Sequence, residues 1–345
     1  MVKIGIFGAT GYTGLELFRF LLKHPKVKIT CATSKQFALK KIANLFPGFR
    51  GYTDLVLSPP ETEKLVSKAD LFFTALPHQV SMEIVPYLLK EGKKVIDLSA
   101  DFRLKDIKVY EVWYGAHKAK EFIPQAVYGL PEIYADKIKK AQLVANPGCY
   151  PTTVILALAP FLKEKLVSAE GIIIDAKSGV SGAGRSPKLA THFCEVNEDI
   201  KAYNVCVHRH TPEMEQELSY LAGEKVKITF VPHLIPATRG MFTTIYAHLK
   251  EYITTKEAYE KMQNFYKERP FIKVLPPPEV PKTIHVRYTN ECHLGVKVNE
   301  KTGQIVIMAA IDNLGKGAST QAIQNMNLML DLSEEIGLRE LPIFP

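Results

Sequence analysis

Five cysteines are spread over the 345 residues, and one of them stands in a setting suited to reactivity. Cys149 lies within Asn146-Pro147-Gly148-Cys149-Tyr150-Pro151-Thr152. A strand-like piece, 142–145, precedes a Pro-Gly turn, and the spacing of apolar residues predicts a helix over 152–165. Pro151 suits the first turn of that helix, where a missing N–H costs nothing. The sulfur is therefore expected beside a helix N-terminus, whose partial positive charge favours the thiolate, the nucleophilic form. Cys31 sits inside a strand pattern and Cys206 between Val205 and Val207. Both are expected to be small buried hydrophobes. Cys194 and Cys292 also lack the turn-and-helix setting.

A nucleophile needs a partner that handles protons. His208-Arg209-His210-Thr211-Pro212-Glu213 is the best candidate stretch. On an extended segment residues two apart face the same way, so His208 and His210 would share a cleft while Arg209 faces elsewhere. The opposite arrangement, with Arg209 on an anion, stays open. A helix is expected after Thr211, with Pro212 at its first position. His24, His117 and His248 stand in surface-like or strand contexts and are read as structural.

The second chemical signal is Gly8-Ala9-Thr10-Gly11-Tyr12-Thr13-Gly14, placed between an apolar strand (Val2–Phe7) and a helical pattern over 15–23. Glycines there let the backbone turn tightly and approach a pyrophosphate, and the helix start offers free N–H groups. The GxxGxxG spacing is less common than GxGxxG, so the flanking strand and helix carry the reading. An NAD site places Asp or Glu at the end of the second strand. Here that strand ends Thr33-Ser34-Lys35, no acidic residue occurs from 17 to 53, and Lys40 and Lys41 follow closely. Ser34 and Lys35 suit a ribose 2′-phosphate, so the expected cofactor is NADP (NADPH).

The elements that must hold these residues fall into two rhythms. Val2–Phe7, Val27–Ala32, 71–75 and 94–98 read as buried strands, with helices at 15–23 and 80–90, which implies a parallel sheet covered by helices. Beyond Asn146 the apolar helix is followed by longer strands at 171–176, 225–231, 240–249 and 304–311, which fit a mixed or antiparallel sheet. Residues 275–281 read as a Pro-rich extended connection, and 319–330 as a helix with Ala322, Ile323, Met326 and Leu330 on one face.

Composition bounds the rest. At 46% hydrophobic and 23% charged the chain is globular rather than disordered. The net charge of +8 comes from scattered Lys and Arg with no nucleic-acid signature, and phosphorylated small ligands explain its sign. The odd, widely spaced cysteines form neither a disulfide framework nor a metal motif, so a reducing, cytoplasmic setting without metal is expected. No signal peptide is visible at the start, and the apolar run 154–162, interrupted by Pro160, is too short to span a membrane.

Taken together these motifs resemble the N-acetyl-γ-glutamyl-phosphate reductases of arginine biosynthesis, and more distantly the aspartate-semialdehyde dehydrogenases. The resemblance runs over essentially the whole chain. It rests on Gly8–Gly14, Ala75-Leu76-Pro77-His78, the run from Asp97 to Arg103 (DLSADFR), Asn146–Thr152, the run from Ser178 to Arg185 (SGVSGAGR), His208–Glu213 and the run from Asp312 to Ala318 (DNLGKGA). It implies an α/β protein, with a Rossmann-type doubly wound parallel sheet followed by an α+β catalytic and oligomerisation domain. The expected bounds are 1–148, completed by 313–345, and 149–312.

The resemblance also implies an acyl-phosphate substrate, a Cys149 thioacyl intermediate, hydride from NADPH, and a homo-oligomer, by analogy a homotetramer. The matching motifs suggest Gly8, Thr10, Gly11, Tyr12, Thr13, Gly14, Ser34, Lys35, Pro77, His78, Ser178, Gly179, Gly182, Asn313 and Lys316 for the cofactor. They suggest Ser99, Arg103, Asn146, Arg185 and Glu213 for substrate or phosphate, and His208, with His210 as the alternative, for acid/base work. Rival readings are a carrier-linked aminoadipyl-phosphate reductase of lysine biosynthesis and a non-catalytic NADP-binding sensor. The stretch 191–198 (THFCEVNE) looks like the arginine-pathway form.

Overall fold

In a computed structural model, which describes residues 1–344, the chain divides into two units. One is Met1–Pro147 with Ala318–Arg339, and the other is Gly148–Gly317 with the residues from Glu340 on.

Six strands organise the first unit: β1 Val2–Phe7, β2 Val27–Ala32, β3 Leu71–Thr74, β4 Lys94–Asp97, β5 Val127–Tyr128 and β6 Leu143–Ala145. They pair in the order β2-β1-β3-β4-β6-β5, every pair parallel. All four residues of β3 are buried, which is why it reads as an unbroken apolar run rather than an alternating one. The chain leaves β1 for β2 on one side and comes back to β3 on the other. The carboxyl ends of β1 and β3 are thus the switch point where open α/β sheets bind ligands. Gly8–Gly14 follows β1 at that end.

The final helix, Thr320–Met329, departs from its simple amphipathic reading. It is buried on every side, including Gln321, Gln324, Asn325 and Asn327. Those amides are tolerated because they are hydrogen-bonded. Gln321 and Asn325 donate to the Gly129 carbonyl at 2.9 and 2.8 Å, and Asn327 meets His24 Nε2 at 3.0 Å.

The second unit is built on a seven-stranded mixed sheet: β7 Ile172–Gly179, β8 Lys201–Ala202, β9 Ile228–Ile235, β10 Met241–His248, β11 Ile272–Val274, β12 Cys292–Asn299 and β13 Gln304–Ile311. Its order is β11-β12-β13-β10-β7-β9-β8, with β7–β9 and β11–β12 parallel and the other pairs antiparallel. The helix Cys149–Lys163 packs on β10 and β13, buried from Tyr150 to Leu162. It begins three residues earlier than the apolar pattern suggested. Gly148 adopts an extended φ/ψ of −71°/158°, so helical geometry starts at the cysteine itself.

Candidate active site

Cys149 is the first residue of its helix, and no side chain caps that helix. The free N–H groups of the first turn therefore surround the sulfur with positive potential. Glu213, buried in the helix Thr211–Ala222, accepts from the Gly148 N–H at 2.9 Å and fixes the turn before the cysteine. Cys149 is only partly buried and lines a cavity of about 320 Å³ with Tyr150, Ser178, Gly179, Gly182, Lys188, Lys201, Tyr203, His208, His210 and Leu234.

The two histidines do meet, with ring centroids 4.9 Å apart. They meet through a turn and not along an extended strand, and Arg209 is exposed. The His210 N–H donates to His208 Nδ1 at 3.1 Å. His208 is packed edge-on against Tyr150, Tyr203 and Phe230, at 5.5, 5.5 and 5.4 Å. Burial, and then the Arg209 charge, push its pKa down to about 4, so the ring is neutral at pH 7. With Nδ1 accepting, the proton of the neutral ring resides on Nε2. The Tyr150 and Tyr203 hydroxyls lie 3.0 Å apart, and burial raises both phenols, Tyr203 to about 12.

Two cysteine and histidine expectations need correction. Cys206 is exposed: Asn204 and Cys206 have φ of 46° and 58°, so the chain turns there and leaves Val205 and Val207 on the surface. His24 and His117 are structural, as expected, but buried rather than surface-like, each 3% exposed. His117 Nε2 lies 2.6 Å from the Asp101 carbonyl, and His24 is held by Asn327.

In the first unit the glycine turn has the shape a pyrophosphate needs. Gly8 has φ of +84°, and a Cβ there would stand 2.2 Å from the Ala75 carbonyl oxygen; one on Gly14 would stand 2.4 Å from the Gly8 oxygen. The helix Tyr12–Leu21 starts after Gly11 without a side-chain cap. The end of β2 closes on this turn: Thr10 and Ser34 hydroxyls lie 3.0 Å apart, and the Gly8 N–H reaches Thr33 Oγ1 at 3.3 Å. Lys35 is exposed, whereas Lys41 is paired with Asp54. These residues fit a dinucleotide.

Other candidates are also placed. Pro77 and His78 are exposed beyond the end of β3, and His78 Nδ1 accepts from Ala100 N–H at 3.1 Å. Ser99 donates to Asp97 at 2.6 Å, whose carboxyl is pushed up by burial and by Asp101. Arg103 is buried and donates to the Asn146 and Leu98 carbonyls at 2.7 and 2.8 Å, while Asn146 bonds Ala318 and Asn325. In the second unit, Asn313 donates to Ser181 at 2.9 Å, and Lys316 is fully buried with its ammonium 5.9 Å from the Phe271 ring centre. Arg185 is exposed in 182–190 and is not on the cavity wall, where Lys188 and Lys201 stand instead. Those lysines and Tyr203 carried no motif, because the wall is assembled from separate loops.

Among the described residues no cluster of His, Cys, Asp and Glu could hold a metal, and no helix is long and apolar enough to cross a membrane.

Comparison with known proteins identifies the family and the fold. A semialdehyde dehydrogenase NAD-binding domain matches residues 3–141, and a semialdehyde dehydrogenase dimerisation domain matches 149–313. N-acetyl-γ-glutamyl-phosphate reductases from Desulfotalea psychrophila and Geobacter sulfurreducens are 52% and 54% identical to it, each over 100% of both chains. Among solved structures, aspartate semialdehyde dehydrogenase II of Vibrio cholerae complexed with ASA superposes with a TM-score of 0.74 at 17% identity, covering 96% of this chain and 98% of that one. The Candida albicans enzyme with NADP gives 0.70 at 16% identity, covering 97% and 99%. At these identities the structural matches speak to the fold alone.

Proposed function

The chain belongs to the N-acetyl-γ-glutamyl-phosphate reductase family, and on that premise we propose that it reduces N-acetyl-γ-glutamyl phosphate to N-acetylglutamate 5-semialdehyde, releasing phosphate, as a cytoplasmic step of arginine biosynthesis. The relatives' names favour this substrate over an aminoadipyl phosphate. The observation that carries the chemistry is Cys149, at an uncapped helix start and open to a cavity shared with His208 and His210.

In this reading the Cys149 thiolate attacks the acyl carbon, a C–S bond forms and the C–O bond to phosphate breaks. NADPH, when bound, supplies the hydride that reduces the thioester. The helix start stabilises the thiolate both before attack and as it leaves the hemithioacetal. Neutral His208, through Nε2–H, or His210 beside it, gives a proton to the oxygen as the hydride arrives and takes it back as the C–S bond breaks and the aldehyde departs. Lys188 and Lys201 supply the positive charge that an anionic substrate needs at the cavity wall. Gly8, Gly11 and Gly14 with the free N–H groups of the first helix hold the pyrophosphate, and Thr10, Ser34 and Lys35 the adenosine ribose end. Ser34 and Lys35, with no carboxylate nearby in sequence, favour NADP over NAD.

A homo-oligomer, by resemblance a tetramer, completes the reading. Its support is a cross-strand row of incompletely buried apolar residues, Ile173, Tyr246 and Val306, on adjacent strands of the seven-stranded sheet. The direct test is NADP reduction with N-acetylglutamate semialdehyde and added phosphate. Turnover that needs phosphate supports the proposal; cofactor binding without turnover would favour a sensor.

A further inference from the structure

We propose that Asp312 is a positioning residue for the nucleophile, acting through the segment that it anchors and that ends against Cys149. The inference rests on the reading of Cys149 as the attacking group.

Asp312 follows β13 and is fully buried. One carboxylate oxygen accepts from the N–H groups of Leu314 and Gly315, both at 2.9 Å, which bends the chain into a turn immediately after the strand. The other accepts from Tyr288 N–H at 2.6 Å. Arg239 Nε lies 3.2 and 3.1 Å from the two oxygens, and its guanidinium stacks 4.5 Å over the Tyr288 ring. The Asp312 carbonyl accepts from Gly317 N–H at 2.9 Å, so the same residue holds both ends of the 312–317 segment.

That segment is packed closely against Thr289 and Cys149. A Cβ on Gly315 would stand 2.6 Å from the Thr289 carbonyl oxygen. A Cβ on Gly317 would stand 2.8 Å from Cys149 Cβ and 3.2 Å from its Cα. Asn313 ties the segment to the opposite wall, accepting from Gly240 N–H at 2.8 Å and donating to Ser181, the neighbour of cavity-lining Gly182.

A buried ion pair is weak grounds for stability, because removing two charges from water costs about as much as their attraction returns. This pair instead holds a bend whose far end touches the residue that must attack. Reaction rates fall steeply when a nucleophile drifts by a fraction of an ångström. An alternative is that Asp312 merely closes a loop, and activity alone does not separate the two.

The test uses Asp312→Asn and, with the clamp intact, Gly317→Ala. Each is assayed in the full-length protein for kcat and KM, for melting temperature, and for the pH dependence of iodoacetamide alkylation at Cys149. Peptide mass spectrometry reads that alkylation separately from the exposed Cys194 and Cys206. Both variants are expected to lower kcat about 10- to 100-fold with substrate KM changed less than about threefold, the signature of an interaction made in the transition state. The Cys149 alkylation profile should change in rate or midpoint in both. Should Asp312→Asn not fold, Gly317→Ala carries the test. Folded variants with a lowered melting temperature but unchanged kcat and unchanged Cys149 alkylation would overturn the proposal. Full activity in Cys149→Ser would instead remove the reading beneath it.

Discussion

The glycine turn of the first unit and the cysteine cavity of the second both lie at the start of an uncapped helix and are both proposed binding sites, but they are built differently. The turn uses backbone. Its key features, the positive φ of Gly8 and the close approach of Gly14 to the Gly8 carbonyl, come from seven consecutive residues. The cavity uses side chains from 149–150, 178–191, 201–210 and 234. A site made of consecutive backbone tolerates change everywhere except at its glycines. A site gathered from distant loops depends on each contributor separately, and its chemistry sits in two or three groups.

The sharpest test of that contrast is Cys149→Ser. The serine keeps the helix start and the cavity but loses an ionisable thiol, so kcat should fall by at least about 10³-fold. Binding of NADPH to the other region, read by fluorescence titration, should stay within about twofold of the parent, since its N–H donors are untouched. Next come His208→Gln and His210→Gln. The histidine that moves the proton should cost about 10²–10⁴-fold in kcat and flatten its pH profile, while its neighbour costs far less. Equal losses in both would mean that the pair acts as a unit.

The same contrast explains what the sequence disclosed. The parallel sheet, the glycine turn and the place of Cys149 at a helix start were legible because each is local: an apolar strand, a turn and a helix start in one stretch. The meeting of His208 and His210 was anticipated for a partly wrong reason, since a turn rather than a strand brings them together. Cys206 was misplaced because flanking valines suggest a strand, whereas left-handed backbone at Asn204 and Cys206 exposes all three. Lys188 and Lys201 were missed because only tertiary folding makes them neighbours of Cys149. The buried amides of Thr320–Met329 were equally hidden, because their partners, Gly129, Asn146 and His24, are far away in sequence.

A smaller effect is expected in the first region from Lys35→Ala. Lys35 is exposed and close to Ser34, so its removal leaves the turn intact. One charge-assisted contact to a 2′-phosphate is worth about a tenfold change in kcat/KM with NADPH. NADH should be used as before. An equal loss with both cofactors would show that Lys35 acts on the turn and not on the phosphate.

The smallest effect concerns acid stability, and it also distinguishes the regions. Burial, and then the Arg209 charge, hold the His208 pKa down at about 4 in the folded protein, against the ordinary imidazole value of 6.5. Between these values the unfolded chain binds a proton that the native chain refuses. Stability is therefore retained above about pH 6.5 and lost as pH falls toward about 4, by about 1–3 kcal/mol after allowance for partial exposure. His24 in the first unit is also lowered by burial, but hydrogen bonds to Asn327 and Ile336 oppose that shift. The larger share of the acid loss should thus belong to the cavity. Urea unfolding at pH 7 and pH 5 reads it: His208→Gln should narrow the difference between the two pH values, and His24→Gln should narrow it less. If His24→Gln narrowed it more, the acid-sensitive histidine would lie under the cofactor turn's own unit, and the assignment of His208 as the deeply desolvated ring would fail.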